Sequence, residues 1–397
     1  MQSSLTSEKI LQAQSLLREA GADCWLTFAR ETATLPDPAL DLILGAHCVW
    51  PSAFIIPAEG KVSAIVGSLD VQNIRDHAPF EVTGYVDSIR DPLRAAMERL
   101  DPNRILLNTS SADVMADGLT LGMHGLLLEI LEGTPYPDRF ESSETVLARL
   151  RSRKSPAEIE SVRSAVDTTL AIFDELTGFL KPGLSEKDVA DFILARTAGR
   201  GLETAWEPDQ CPAVFTGPES AGAHASPTRR FIEPGHLMNI DFGVRRNGYV
   251  SDLQRTWYFL KPDETAPPEA VRRGFQVLLE SIRRGAESLR PGITGWEVDA
   301  AARAHITEAG YMEYPHALGH QVGRKAHDGG GLLAPRWDRY KHLPLLPVEK
   351  DQIYTLEPRL TVAGHGVATV EEIVVVTESG CRFLSKPQEE LYLIQSS

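Results

Sequence analysis

Two aspartates, Asp241 and Asp252, flank an Asn247-Gly248 turn signal in the stretch NIDFGVRRNGYVSDLQRTW. Apolar, β-prone residues surround them: Leu237, Ile240, Phe242 and Val244 before the turn, Tyr249, Val250, Leu253 and Trp257 after it. That pattern predicts a β-hairpin. A two-residue loop at either Arg246-Asn247 or Asn247-Gly248 pairs odd positions with even ones. Side chains alternate along a strand, so both carboxylates fall on one face. They are directly opposite with the first loop and diagonal with the second. Like charges opposed on a sheet destabilise it, so a cation should sit between them or one carboxyl should be protonated.

Further ligating types gather towards the C-terminus. The segment PHALGHQVGRKAHD (315–328) carries His316, His320 and His327, TLEP (355–358) carries Glu357, and TVEEIVVVT (369–377) carries Glu371 and Glu372. Neighbouring strand residues point to opposite faces, so only one of these two adjacent glutamates can face a shared cavity. His316 and His320 have i, i+4 spacing, but Pro315 and Gly319 weigh against a helix there, and no HExxH is present. Taken singly, a glutamate at a strand start is usually solvated and a lone histidine usually structural. Taken together, two aspartates in register, one histidine among glycines and two glutamates on separate strand-like segments match a carboxylate-rich dinuclear centre. In such a centre, carboxylate bridges offset the repulsion of two divalent ions about 3.5–4 Å apart. Oxygen ligands with a single imidazole favour Mn, Co, Zn or Fe over a thiolate-seeking ion.

These residues need a frame, and a repeat supplies one. Leu180-Lys-Pro-Gly-Leu-Ser185 followed by Val189 recurs as Leu289-Arg-Pro-Gly-Ile-Thr294 followed by Val298, at an interval of 109 positions (182 to 291, 189 to 298). A long amphipathic helix precedes each copy, at 156–180 and 267–289; the first opens on the capping box Ser155-Pro156-Ala157-Glu158. Each copy is followed by a helix and then by strands. Duplicated halves with helices outside and strands inside would place a site between them. The aspartates belong to the first half, so the second should supply their partners.

Upstream, strand and helix signals alternate: a helix at 7–20, strands at Cys24–Phe28, Ala53–Ile56 and Val62–Val66, and further alternation to a helix near 112–132. That is a smaller α/β domain, expected to span 1–145, with the second domain at 146–397. His47, His77 and His124 are isolated in it and read as packing or surface residues.

Length and composition bound the rest. The 397 residues suffice for two or three domains, and the net charge of −15 argues against a nucleic-acid partner. The one basic cluster, Arg149, Arg151, Arg153 and Lys154, reads as a solvated face. No apolar run approaches ~20 residues, so no membrane partner is expected. The N-terminus lacks the basic and apolar regions of a signal peptide. Cys24, Cys48, Cys211 and Cys381 are scattered and read as buried thiols in a reducing, cytoplasmic compartment.

The segment 156–385 resembles the metal-dependent pita-bread peptidases: methionine aminopeptidase, aminopeptidase P and prolidase. The order Asp, Asp, His in a GHxxG setting, Glu in TLEP and Glu before an apolar VVVT strand is similar to that family's full ligand set. The resemblance implies an α+β fold, a pseudo-twofold pita-bread domain behind a creatinase-like N-terminal α/β domain. It implies metal ligands Asp241, Asp252, His320, Glu357 and Glu371, with Glu372 in place of the usual aspartate, and two divalent ions, Mn²⁺ first, with Co²⁺, Zn²⁺ or Fe²⁺ as alternatives. Phe215-Thr-Gly…Ala223-His224 resembles the segment carrying a further active-site histidine, and His327-Asp328 a His-acid pair that follows the ligand histidine. His316, four before His320, points to the prolidase and aminopeptidase P branch.

That branch implies hydrolysis of the bond before proline in a peptide substrate, by a homodimer. Glu357, beside the water to be activated, is the candidate general base. His224 and His327 would act as hydrogen-bond donors to the tetrahedral intermediate, and His316 would contact substrate after the cleaved bond. Thr369 departs from the arginine often found there, and Ala33-Thr-Leu-Pro-Asp-Pro-Ala-Leu departs from the family's usual segment in the N-terminal domain. The rival readings are a metal-free creatinase-like C–N hydrolase, a metal-dependent lyase on the same scaffold, and a non-enzymatic binding module.

Overall fold

The computed structural model describes residues 2–219 and 225–395. The chain divides into two compact units, Met1–Arg151 and Ser152–Ser397.

The first unit is built on a mixed six-stranded sheet, in spatial order Glu81–Tyr85, Ser63–Gly67, Ser52–Pro57, Cys24–Ala29, Ile105–Leu107 and Phe140–Ser142. Cys24–Ala29 is buried throughout because both faces are covered: Trp25 joins one apolar cluster, Leu26 and Phe28 another. Ile10, Ala13 and Leu17 of helix Gln2–Ala20 pack on the Trp25 side. Leu93 and Met97 of helix Arg90–Leu100 pack on the other. The helix expected near 112–132 is two pieces, a 3₁₀ turn at Val114–Ala116 and a helix at Leu121–Ile130 that Thr120 caps through the Met123 N–H (3.2 Å).

Where the sequence suggested a boundary after 145, the contacts divide after Arg151. Helix Glu144–Ser152 is the reason, since it puts Val146, Leu147 and Leu150 into the first unit's core. The basic cluster is not the solvated face expected. Arg151 is 1% exposed and donates to the Pro38 carbonyl, while Lys154 is 3% exposed and pairs with Asp328 at 2.7 Å. All four cysteines are free; three are buried, but Cys381 is only half-buried.

In the second unit the repeat is physical. Helices Pro156–Phe179 and Glu186–Gly199 lead the first half, and Glu269–Ser288 and Gly295–Glu308 lead the second. Between the members of each pair, Gly183 and Gly292 share a φ of +88°. The Gly183 N–H bonds the Ile232 carbonyl (2.9 Å) and the Gly292 N–H bonds that of Val348 (2.8 Å). In return, the Ile232 N–H bonds Leu184 O (2.8 Å) and the Val348 N–H bonds Ile293 O (2.7 Å). Isolated bridges Ser185–Phe231 and Thr294–Pro347 complete the match. The interval from 232 to 348 also carries 241 to 357, so Asp241 and Glu357 occupy corresponding places.

The first half's sheet runs Tyr392–Ile394, Leu253–Phe259, Leu237–Phe242, Ala213–Thr216. The second half pairs Ile353–Leu356 with Glu372–Val376, and Arg359–Val362 with Gly366–Thr369. Val271, Phe275, Leu278 and Ile282 of helix Glu269–Ser288 pack with Leu356, Leu360, Val370 and Val374 in one core. Hydrogen bonds stitch the halves: Leu237 N–H to His365 O (2.8 Å), Thr369 N–H to Thr256 Oγ1 (3.1 Å) and Glu371 N–H to Gln254 O (3.1 Å).

Candidate metal centre

The hairpin forms with the second of the two loops. Arg245 pairs with Val250 and Arg246 with Tyr249, leaving Asn247 and Gly248 as the loop. Their φ values of +53° and +79° are the left-handed pair of a type I′ turn. The same register continues below, with Phe242 opposite Leu253 and Asp241 opposite Gln254. Asp252 is two residues from Gln254, so the aspartates are diagonal neighbours on one face. Continuing the register sets Gly243 across from Asp252. A Cβ there would lie 1.9 Å from the Ser251 carbonyl oxygen, so only glycine lets the strands close at this point.

The second half presents its ligands from an irregular segment and a strand pair. Residues 315–328 are not helical. They are held from behind by Arg303, which pairs with Asp299 (2.7 and 2.8 Å) and donates to the carbonyls of Tyr314 and His316 (both 2.6 Å). Asp299 also accepts the Leu318 N–H at 3.0 Å. The segment then runs beside Ile353–Leu356. Thr355 N–H bonds His320 O (2.9 Å) and Glu357 N–H bonds Leu318 O (2.7 Å). Glu371 and Glu372 diverge as alternation requires. Glu372 turns away to Arg255 (3.1 Å), Ser385 Oγ (2.5 Å) and the Gln388 N–H (2.9 Å).

Five side chains converge. Asp252, His320 and Glu371 each offer a ligand atom within 4.8 Å of the others. His320 Nε2 lies 3.1 Å from Glu357 Oε1 and 3.8 Å from Asp252 Oδ2. Gln254 Nε2 donates to both Asp241 (3.5 Å) and Glu357 (3.3 Å).

The donor set fits a divalent cation on electrostatic grounds. Asp241 Oδ1 and both Glu371 oxygens are buried and accept no hydrogen bond. Burial and the Glu357 charge push the Asp241 carboxyl up to about 7. Burial and the neighbouring carboxylates also raise Asp252 and Glu371 well above the usual range. Glu357 differs. Burial raises it, but the His320 hydrogen bond and the charges of His320, His316 and His327 outweigh that, so its pKa is lowered. His320 responds in kind: burial lowers it, the Glu357 hydrogen bond and charge prevail, and its pKa is raised. Desolvated acceptors without donors are costly unless a cation meets them. Four carboxylates with one imidazole suit a hard or borderline divalent ion.

The model of metallopeptidase family M24 matches residues 160–378, more than half of the chain. The chain belongs to this family. A Xaa-Pro dipeptidase of Pyrococcus furiosus is 28% identical over 320 residues, covering 78% of this chain and 86% of that protein. Among solved structures, a Xaa-Pro dipeptidase from Bacillus anthracis superposes with a TM-score of 0.76 at 24% identity, covering 98% of this chain and 100% of that one. An X-Pro aminopeptidase from Thermotoga maritima superposes at 0.74, also at 24% identity, covering 98% and 99%. The two-domain pita-bread architecture is therefore shared along nearly the whole chain.

Set in this M24 metallopeptidase frame, the other expected residues are unequal. His327 stands edge-on to His320, ring centroids 4.2 Å apart, on the exposed side. His316 is half-buried, its Nδ1 2.8 Å from the Ala317 carbonyl, and burial holds its pKa below the usual value. His224 lies outside the described residues. Thr369 buries its Oγ1 without a partner. Several supports were missed by sequence reasoning. Gln254, two residues after Asp252, was accessible from strand alternation alone. Asp299 and Arg303 have i, i+4 spacing on a helix, a signal available but silent about its target. The buried Lys154–Asp328 pair, beside His327, had no local signal.

Proposed function

We propose that this metallopeptidase hydrolyses the peptide bond before proline, as a Xaa-Pro dipeptidase or aminopeptidase, with Asp241, Asp252, His320, Glu357 and Glu371 as ligands of two divalent ions, Mn²⁺ first. The observation carrying the ligand assignment is the convergence of these five side chains around buried carboxylate oxygens that no protein donor meets. The Xaa-Pro relatives support the substrate class.

When bound, the ions supply Lewis acidity towards the scissile carbonyl and make water at the site more acidic. The chain's own residues do the rest. Glu357, 3.1 Å from His320 Nε2 and accepting from Thr355 Oγ1, is the base that takes the water's proton. It then delivers that proton to the departing proline nitrogen, which must be protonated to leave. Gln254 fixes Glu357 Oε2 and keeps the carboxylate turned to the site. His327, exposed beside His320, donates to the carbonyl oxygen as it gains charge, and His224 joins it in that role. His316 faces the residue after the scissile bond. A proline there lacks an amide N–H, so recognition of that residue cannot depend on one.

Protein dialysed against a chelator should lose Ala-Pro hydrolysis and regain it with Mn²⁺ or Co²⁺. Activity that survives complete metal removal would refute the mechanism. Cleavage of Met-Ala but not Ala-Pro by the reloaded enzyme would refute the substrate class.

A further inference from the structure

We propose that Trp337 and Arg339 are positioning residues for His316, and that through it they set how tightly the enzyme holds the residue after the scissile bond. This rests on the Xaa-Pro reading above and adds the device that aims the histidine.

The stretch Arg336-Trp337-Asp338-Arg339-Tyr340 forms a strap with a fixed base. Leu333 and Gly319, the residue before His320, exchange backbone hydrogen bonds (2.9 and 3.2 Å), and the Leu332 N–H bonds the Leu343 carbonyl (3.3 Å). Leu333, Ala334 and Leu343 are buried. Between these anchors the chain turns through a 3₁₀ helix at Asp338–Tyr340 and reaches the surface, where Arg336 and Arg339 are exposed and Trp337 and Tyr340 half-buried. The Trp337 and Tyr340 rings stack 15° from parallel, centroids 5.9 Å apart.

Two arginines connect the strap to the histidine. Arg339 Nη2 donates to the Pro315 carbonyl (2.5 Å), while its guanidinium carbon lies 4.5 Å from the Trp337 ring centroid and 4.9 Å from that of Tyr340. Arg303 donates to the carbonyls on either side of Pro315, and its guanidinium carbon lies 5.3 Å from the Trp337 centroid. Three successive carbonyls are thus held by two cations that share one indole. Side chains continue the path. Arg303 covers the Tyr314 ring at 3.8 Å, and that ring meets the His316 ring at 5.1 Å. His316 Nδ1 faces the Ala317 carbonyl and so must carry a proton there, which leaves Nε2 as the atom offered to substrate.

The histidine needs this support because residues 314–316 belong to no helix or strand. No ladder of backbone bonds sets their dihedrals, and the guanidiniums do so instead. A cation is drawn to the face of an indole more strongly than to other rings. Removing Trp337 therefore loosens both guanidiniums at once. A group displaced by about 1 Å can cost ~10²-fold in rate, so a recognition residue on irregular backbone is sensitive to what braces it.

The test uses the full-length, Mn²⁺-loaded enzyme with Ala-Pro. Trp337→Leu and Arg339→Gln should each raise KM roughly five- to tenfold, the size of one partly desolvated cation–π contact, with kcat and metal content near those of wild type. Trp337→Phe and Arg339→Lys should each restore part of the loss. The double-mutant cycle with His316→Ala decides the route. If the strap acts through His316, adding Trp337→Leu or Arg339→Gln to His316→Ala should cost nothing further. Costs that add in full in the His316→Ala background overturn the inference and leave the Xaa-Pro reading standing. So does a wild-type KM in Arg339→Gln, whose side chain is exposed and whose loss leaves the core intact, and so does loss of bound metal in either single variant. Failure of wild type to turn over Ala-Pro overturns the Xaa-Pro reading and the inference with it.

Discussion

The two halves of the catalytic unit begin alike and end differently. Both turn between their helices through a Pro-Gly segment with φ +88° and matching hydrogen bonds, and both then send a carboxylate to the centre from the corresponding position, Asp241 or Glu357. Beside Asp241 the neighbouring strand is the apolar Ala213–Thr216. Beside Glu357 the neighbouring segment carries His320 instead. On the aspartate side Gln254 donates to Asp241 at 3.5 Å, and burial raises the pKa of both aspartates. On the glutamate side His320 meets Glu357 at 3.1 Å, and the pKa of Glu357 is lowered. Duplication accounts for the corresponding places of Asp241 and Glu357, and a single imidazole on one side accounts for the opposite directions in which their pKa values move.

That contrast can be broken first by exchanging one acid on each side. Asp252→Asn should lower metal content and reduce activity by more than the roughly 10–100-fold that loss of an outer supporting group costs. Glu357→Gln should cut kcat by about 10²–10⁴-fold, the usual contribution of a general base. Elemental analysis and steady-state kinetics read both. An Asp252→Asn enzyme with full metal content would show that the aspartate side is not where the ions are held.

A smaller effect concerns pH. Asp241 has a folded pKa of about 7 against an ordinary value of 3.8. Between those values the folded state binds more protons than the unfolded state, so the chelated protein should lose stability as pH rises from about 4 to 7. Cation binding must displace those protons, so the rise in Tm on adding Mn²⁺ should be larger at pH 7.5 than at pH 5. A rise of the same size at both would contradict the buried-acceptor description.

The smallest effect on stability tests how the halves are aligned. Arg255 belongs to the first half and Glu372 to the second, and both are buried. Replacing the pair together, Arg255→Met with Glu372→Leu, should leave Tm nearly unchanged or slightly raised while metal occupancy falls. Full occupancy in the double variant would show that the pair has no part in positioning the centre.

Much of this was legible in the sequence. Period-two patterning and Asn247-Gly248 were enough to put both aspartates on one face, and the actual register resolves them as diagonal. The Pro-Gly repeat disclosed the duplication, and adjacency alone required Glu371 and Glu372 to part. The remainder depends on contacts between distant residues. Arg303 reaches carbonyls on another segment, and Lys154 reaches Asp328. Nothing local distinguishes these charges from solvated ones, so the sequence alone places Arg151 and Lys154 at the surface. Helix Glu144–Ser152 was likewise invisible as part of the first core, because its partners lie far upstream.

The strand Glu372–Val376 poses a problem of indexing. Ile373, Val374, Val375 and Val376 are buried on both faces, so an apolar interior would accept them in either phase. A slip by one residue would merely trade one glutamate for the other at the cation's edge. Hydrophobicity cannot choose between those settings, and neither can the chemistry of the two identical side chains. Arg255 can: only the present setting gives it a carboxylate, with Ser385 and the Gln388 N–H completing the lock. An ion pair turned away from the candidate centre thus acts as an alignment key, deciding which of two equivalent acids faces Asp252 and His320.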